Sequence, residues 1–179
     1  PLPGVDLRIV DDNGDEVPTG DAGEILIRAP SVAKGYHKRP EENAATFRDG
    51  WLHTGDVGKV DEKGYLFMLD RKKEMVITGG ENVYTSEVEA VLYQHPHVHE
   101  AAVVGVPDRQ YGEALFAVIV PSPGKLLTED EVISHCRGRI GGYKIPRQMA
   151  FVDELPKSTM GKVLKNDLRR TYGGVPAKT

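Results

Sequence analysis

The stretch Asp70-Arg71-Lys72-Lys73-Glu74, running into Met75-Val76-Ile77-Thr78-Gly79-Gly80, divides this sequence in two. It is a charged knot between two strand-like apolar runs, Tyr65-Leu66-Phe67-Met68-Leu69 before it and Met75-Val76-Ile77-Thr78 after it. The charge balance changes sign at the same place. Residues 1–70 hold 8 Lys/Arg against 14 Asp/Glu, and residues 71–179 hold 15 against 13. Such a change can mark a boundary, although two solvated surfaces of differing charge give the same arithmetic.

Before the knot the pattern is short strands and dense turns. Val5-Asp6-Leu7-Arg8-Ile9-Val10 alternates as a strand and Asp11-Asp12-Asn13-Gly14 supplies a turn. Gly20-Asp21-Ala22-Gly23 leads into a second strand, Glu24-Ile25-Leu26-Ile27-Arg28. Pro40 to Phe47 reads as a short helix with proline in its first turn. Asp49-Gly50 and Asp61-Glu62-Lys63-Gly64 are further turns, which suggests a small barrel or sheet.

After the knot the style changes. Ser86 with Glu89 has the form of a capping box, followed by Val88, Val91 and Leu92 on one helical face, with Pro96 as the stop. Ala101–Val106 and Leu115–Val120 read as buried strands linked through Pro107-Asp108. Thr128 with Glu131 forms a second capping box, and its helix carries Val132, Ile133, Cys136 and Ile140 to an end at Gly141-Gly142. A last helix is expected from about Lys162 to Tyr172. The fold class is therefore mixed: a small β-rich, distorted barrel-like part (1–70), then a compact α+β domain (74–179).

Composition excludes several classes. The 179 residues contain one cysteine, so no disulfide can form within the chain. No run approaches the length of a membrane-spanning helix. No basic stripe argues for nucleic acid. The start, Pro1-Leu2-Pro3-Gly4, has neither an initiating Met nor a signal-peptide pattern and reads as internal sequence. Gly58-Lys59-Val60, Gly124-Lys125-Leu126 and Gly161-Lys162-Val163 all lack the Ser/Thr of a P-loop. His95, His97 and His99 alternate, but Pro96 makes this a loop entry without a nearby cysteine, so a wet face is favoured and no metal site is assigned. Cys136 reads as core.

Four segments combine glycine, charge and hydroxyls. In Trp51-Leu52-His53-Thr54-Gly55-Asp56 a carboxylate follows a flexible glycine, and an ionised Asp can accept two hydrogen bonds from vicinal ribose hydroxyls. Asp70-Arg71-Lys72-Lys73 is the knot itself. Gly79-Gly80-Glu81-Asn82 would let a ligand reach backbone. Leu155-Pro156-Lys157-Ser158-Thr159-Met160-Gly161-Lys162 presents a lysine at an expected helix start, where the dipole disfavours a cation, so a negatively charged partner is expected.

In this order, the segments resemble the C-terminal part of the AMP-forming acyl/aryl-CoA synthetases, in the adenylate-forming superfamily with luciferases and peptide-synthetase adenylation domains. Further carrying residues are Gly35-Tyr36, Asp49-Gly50-Trp51, Ser86-Glu87-Val88-Glu89, Gly105-Val106-Pro107-Asp108, Gly112-Glu113 and Tyr143-Lys144-Ile145-Pro146. The resemblance implies a carboxylic acid, whether fatty, aromatic or dicarboxylic, activated by ATP to an acyl-adenylate and passed to coenzyme A with release of AMP. It places Asp56 on the ribose hydroxyls and Arg71 on the ribose and phosphate region. Residues 71–73 become a hinge, with Lys73 at the hinge position. Lys162 becomes the catalytic lysine between carboxylate and α-phosphate. Gly79 and Gly80 would line the coenzyme A tunnel, with Tyr111 and Tyr143 as aromatics near that ligand.

The same resemblance implies an upstream large domain as partner, carrying the phosphate loop, the Mg2+ site and the acid pocket. This chain alone is then expected to be inactive. It also implies a cytoplasmic location and a lysine acetyltransferase acting on Lys162. An adenylation domain that loads a carrier protein is the alternative. It would show Gly-Arg-x-Asp and Arg-Gly-x-Arg where this chain has Asp70-Arg71-Lys72-Lys73 and Gly79-Gly80-Glu81-Asn82. A luciferase-type oxygenase and a non-catalytic binding or regulatory module are the remaining readings.

Overall fold

A computed structural model describes residues 3–174, and among them ten strands and four α-helices follow in the order ββαβββββαββαβα. Residues 1, 2 and 175–179, the ends of the two expected domains, lie outside the described residues. The chain divides into two compact units between Lys73 and Glu74.

The first unit is an antiparallel sheet. Strands β1 (Asp6–Val10), β2 (Gly23–Arg28), β4 (Trp51–Val60) and β3 (Phe47–Arg48) lie in the order β1-β2-β4-β3, and β5 (Leu66–Arg71) also pairs with β4. The Asp11 carboxylate closes the turn after β1 by accepting from the backbone N–H of Asn13 and Asp15, each at 2.9 Å. Helix α1 (Pro40–Thr46) begins with Pro40 in its first turn, where the missing N–H costs nothing. The apolar centre is small: Val10, Leu26 and Trp51 cluster, and the guanidinium groups of Arg8 and Arg28 lie 4.7 and 4.5 Å from the Trp51 ring.

Strand β4 is not regular. Glu24 pairs with Val57 and Leu26 with His53, so Ile25 alone faces Thr54, Gly55 and Asp56. The surplus residues form a bulge, which breaks the ladder and re-aims side chains. The next irregularity, between Val57 and Gly58, brings Asp56 opposite Arg71 of β5.

The second unit is built on β9 (Gly112–Pro121). It pairs antiparallel with β8 (Val98–Asp108), parallel with β10 (Gln148–Phe151), and at its start with β6 (Val76–Thr78), which continues to β7 (Glu81–Val83). Side chains alternate between faces along a strand. Leu115, Ala117 and Ile119 join the cluster containing Val88, Val91 and Leu92 of α2 (Thr85–Leu92) and Val132 and Cys136 of α3 (Glu129–Cys136). Ala114, Phe116, Val118 and Val120 join Leu155 and Leu168, the latter from α4 (Lys165–Tyr172). A sheet covered on both faces reads as a continuous apolar run, which is how β8 and β9 read. On β8 a register shift between Val98 and Glu100 flips the faces, so Val98 shares a cluster with Ala101 and Val103 despite its parity.

A β-rich first unit followed by an α+β second unit is the expected fold class, but four local expectations need correction. Ser86 does not cap α2: the helix starts at Thr85 without a side-chain cap. Glu89 is drawn away instead, since its carboxylate accepts from the Val103 N–H at 2.8 Å and pairs with the Lys165 ammonium at 2.7 Å. The capping box of Thr128 and Glu131 does form, but its helix ends at Cys136 rather than near Ile140. Arg137 is extended and Gly138 takes φ +75°, yet Ile140 still packs on the core. Strands β8 and β9 meet in a tight turn over Arg109–Tyr111, with Pro107 and Asp108 inside the ladder rather than linking it. Finally, α4 begins at Lys165, so Lys162 precedes the helix and the dipole argument for it lapses.

Candidate functional site

In the first unit the bulge of β4 builds the site. The Thr54 hydroxyl donates to the Ile25 carbonyl at 2.8 Å and accepts from the Asp56 N–H at 3.0 Å. Gly55, at φ +69°, donates its N–H to the Glu24 carboxylate at 3.3 Å. A side chain at that φ is disfavoured, which gives the glycine its reason. These bonds satisfy the Ile25 carbonyl and the Gly55 and Asp56 N–H groups at the break in the ladder.

Asp56 and Arg71 then face one another across β4 and β5, with Asp56 Oδ1 3.3 Å from Arg71 Nε. The carboxylate is three-quarters buried (25% exposed) while the guanidinium is 60% exposed. An open cavity of about 400 Å³ is lined by Thr54, Gly55, Arg71, Lys72 and Lys73. Lys73 itself is exposed, in the short 3-10 turn Lys72–Glu74. Lys72 donates to Asp12 at 2.8 Å and to Glu24 at 3.2 Å. The hydrogen bond to Asp12, followed by that to Glu24, holds its ammonium above the usual lysine range, so it stays charged. The arrangement offers a largely buried acceptor for hydroxyls beside an exposed cation suited to phosphate. A second cavity of about 570 Å³ lies beside Trp51, but its arginines are already paired, Arg28 with Asp6 and Arg8 with Glu16.

The second unit carries the remaining sequence-predicted residues in three places. Gly79 and Gly80 turn the β6–β7 hairpin at φ +60° and +87°, the two successive positive values that a type I′ turn requires. The Gly79 N–H donates to the Tyr111 carbonyl at 3.0 Å, and a Cβ on Gly79 would come within 3.3 Å of the Tyr111 ring. The structure thus brings Gly79, Gly80 and Tyr111 together, with the Arg147 guanidinium 3.9 Å from the Tyr111 ring centroid. Tyr143 lies on a separate exposed turn, Gly142–Lys144, where Lys144 reaches Glu87 at 2.7 Å. Lys162 lies on an exposed loop, closed by Ser158 N–H to Lys162 carbonyl at 2.8 Å and by a Lys157–Val163 bridge.

Among the described residues, no group of three His, Cys, Asp or Glu side chains is arranged to hold a metal. His95 and His97 face each other with ring centroids 5.5 Å apart, and His135 is 4.9 Å from His95. His99 is exposed beside Glu100. Burial, then the neighbouring His135 and His97, push His95 below the usual histidine range. Burial raises the Cys136 thiol above its usual range, as suits a core residue.

Sequence reasoning did not single out Glu24, Lys72, Thr54 or Arg147 individually. Glu24 had a signal, an acidic residue leading the apolar run Ile25-Leu26-Ile27. Arg147 had none, since its ring partner is fixed by tertiary structure.

Residues 87–162 match the family model described as the AMP-binding enzyme C-terminal domain, and residues 1–37 match that of the AMP-binding enzyme. Feruloyl-CoA synthase from Amycolatopsis is 47% identical over 94% of this chain and 34% of its own length. A long-chain-fatty-acid–CoA ligase from Escherichia coli is 44% identical over 94% of this chain and 30% of its own. The crystal structure of ATP-bound MatB from Rhodopseudomonas palustris aligns with a TM-score of 0.90 at 45% identity, over 97% of this chain and 35% of that one. The fold is that of the adenylate-forming enzymes. This chain belongs to the AMP-binding enzyme family and carries its C-terminal domain. It spans about a third of the length of the curated relatives it matches.

Proposed function

We propose that this chain is the C-terminal part of an AMP-forming acid–CoA ligase. The observation that carries the reading is the Asp56–Arg71 pair, set on a bulge at the edge of an open cavity. In this reading the Asp56 carboxylate accepts from the ribose hydroxyls of ATP and of the acyl-adenylate. The Arg71 guanidinium lies beside the ribose and phosphates. The exposed Lys162 ammonium enters during adenylation, where carboxylate and α-phosphate approach and a cation stabilises the charge that develops between them. Acyl transfer to coenzyme A uses the other set, the Gly79-Gly80 turn with Tyr111 and Tyr143. Exchange of the two sets requires residues 74–179 to swing as a mobile domain, and the turn at Lys73 is the hinge.

The upstream domain supplies the phosphate loop, the acid pocket and the Mg2+ site, so this chain alone is inactive. ATP and coenzyme A as substrates fit a cytoplasmic location. Acetylation of the exposed Lys162 by a lysine acetyltransferase would remove the charge that adenylation needs.

The test is ATP–pyrophosphate exchange by the full-length protein against a panel of fatty, aromatic and dicarboxylic acids. Exchange with at least one acid, followed by thioester formation with coenzyme A, supports the reading. No exchange with any acid overturns it, and transfer to a carrier protein in place of coenzyme A redirects it. Lys162→Ala is expected to lower exchange on the order of 100-fold or more, while thioester formation from a supplied adenylate is largely spared. Equal loss in both half-reactions would reassign Lys162.

A further inference from the structure

We propose that Glu24 is a positioning residue of the nucleotide site. It is a buried carboxylate that holds the bulge under Asp56 and the lysine beside Arg71 in one arrangement. The proposal rests on the nucleotide reading of Asp56 and Arg71 given above.

Glu24 is only 9% exposed, in a strand whose next two residues, Ile25 and Leu26, are core. A buried carboxylate without partners is strongly disfavoured. This one has partners of three kinds. It accepts from the Gly55 N–H at 3.3 Å and from the Lys72 ammonium at 3.2 Å, and His53 Nδ1 lies 3.7 Å away. Two of these partners are the chain neighbours of the proposed nucleotide residues, since Gly55 precedes Asp56 and Lys72 follows Arg71.

The backbone explains why such a group is needed. Asp56 stands on a bulge and has no ladder partner on β2. Its register partner is Arg71, the last residue of β5, and a second irregularity follows after Val57. The pair is thus held by the β4–β5 ladder only at its last two rungs. Glu24 stands on β2, which is paired on both sides, by β1 and β4. A site built on a rigid element is more precise than one built on a loop. Glu24 carries that rigidity to both residues at once, through Gly55 and through Lys72. Lys72 is held from a second side by Asp12 at 2.8 Å.

A merely structural carboxylate would affect folding and every kinetic constant alike. A positioning residue would act on nucleotide affinity. The experiment is steady-state kinetics of the full-length ligase with Glu24→Gln, Glu24→Ala, Lys72→Met, the double variant Glu24→Gln/Lys72→Met and Asp56→Asn. Glu24→Gln keeps an acceptor for the Gly55 N–H but loses the charge that holds Lys72. It is expected to raise KM for ATP about tenfold, with kcat within about threefold and KM for the acid unchanged, the size of a coupled-pair effect. Lys72→Met should give the same split, and the double variant should be no worse than the poorer single one. Glu24→Ala should be more severe; if it fails to fold, the isosteric Glu24→Gln and the half-exposed Lys72→Met carry the test.

Loss of kcat with an unchanged KM for ATP overturns the proposal. So does an equal rise in KM for the acid, or full additivity in the double variant. Asp56→Asn separates the two layers of the argument. If it leaves KM for ATP unchanged, the nucleotide reading itself has failed. If it raises KM while Glu24→Gln does not, the reading stands and the positioning role is wrong.

Discussion

The two units hold themselves together differently. In the second, β9 is buried along both faces, with α2 and α3 covering one and α4 the other. Phe116 and Tyr172 stack at 4.6 Å to close the α4 side. In the first, one small cluster forms around Val10, Leu26 and Trp51, while Tyr65, Phe67 and Met68 stay 65%, 47% and 60% exposed on and beside the edge strand β5. Apolar exposure of that kind on an edge strand marks a surface that expects company. The lesson is that a complete core and a candidate site need not coincide. The bulge with Asp56 and Glu24 sits in the unit with the poorer core.

That contrast can be broken outright by expressing the units separately. Residues 74–174 are expected to unfold cooperatively in urea, and residues 1–73 alone to show no cooperative transition. A sharp transition from residues 1–73 would mean that the first unit is self-sufficient. Within the second unit, Ile119→Ala empties a fully buried position on β9. It should destabilise by about 2–5 kcal/mol, read as a lowered urea midpoint. Thr128→Ala removes the one capping box that forms and should cost about 1 kcal/mol by the same measurement.

The smallest effect concerns pH. His95 faces His97, His135, Glu131 and Arg139, and its folded-state pKa lies below the ordinary 6.5. The native state therefore binds fewer protons than the unfolded chain as pH falls below 6.5. The stability from His95 is present above that value and is lost towards the lowered folded pKa. The urea midpoint of residues 74–174 should fall on acidification from neutral pH. His95→Asn, which keeps an acceptor for the His97 N–H bonded to His95 Nδ1, should flatten the slope. An unchanged slope would assign the acid sensitivity to other groups.

Where sequence reading succeeded, the cause was local. Pro40 marks the first turn of α1, Thr128 with Glu131 caps α3, and the apolar runs of β8 and β9 read as buried strands because both faces are covered. Where it failed, a distant partner intervened. Glu89 lies three residues after Ser86 as a capping box requires, yet the Val103 N–H and Lys165 claim it. Strand β4 went unread because Thr54-Gly55-Asp56 interrupts its alternation, and that interruption carries the candidate site. Strand β10 is too short to announce itself and exists only against β9.

The sequence by itself determined the two-part organisation and the buried strands of the second unit, which follow from local pattern carried along the chain. The candidate roles of Asp56, Arg71, Lys73, Gly79, Gly80 and Lys162 are what its family resemblance implies. Only the tertiary structure decided that Asp56 faces Arg71, that Tyr111 lies on Gly79, and that Glu24 holds Gly55 and Lys72. The physical reason is that a carboxylate takes whichever donors the fold brings within reach. For Glu24 those donors stand 31 and 48 residues away along the chain.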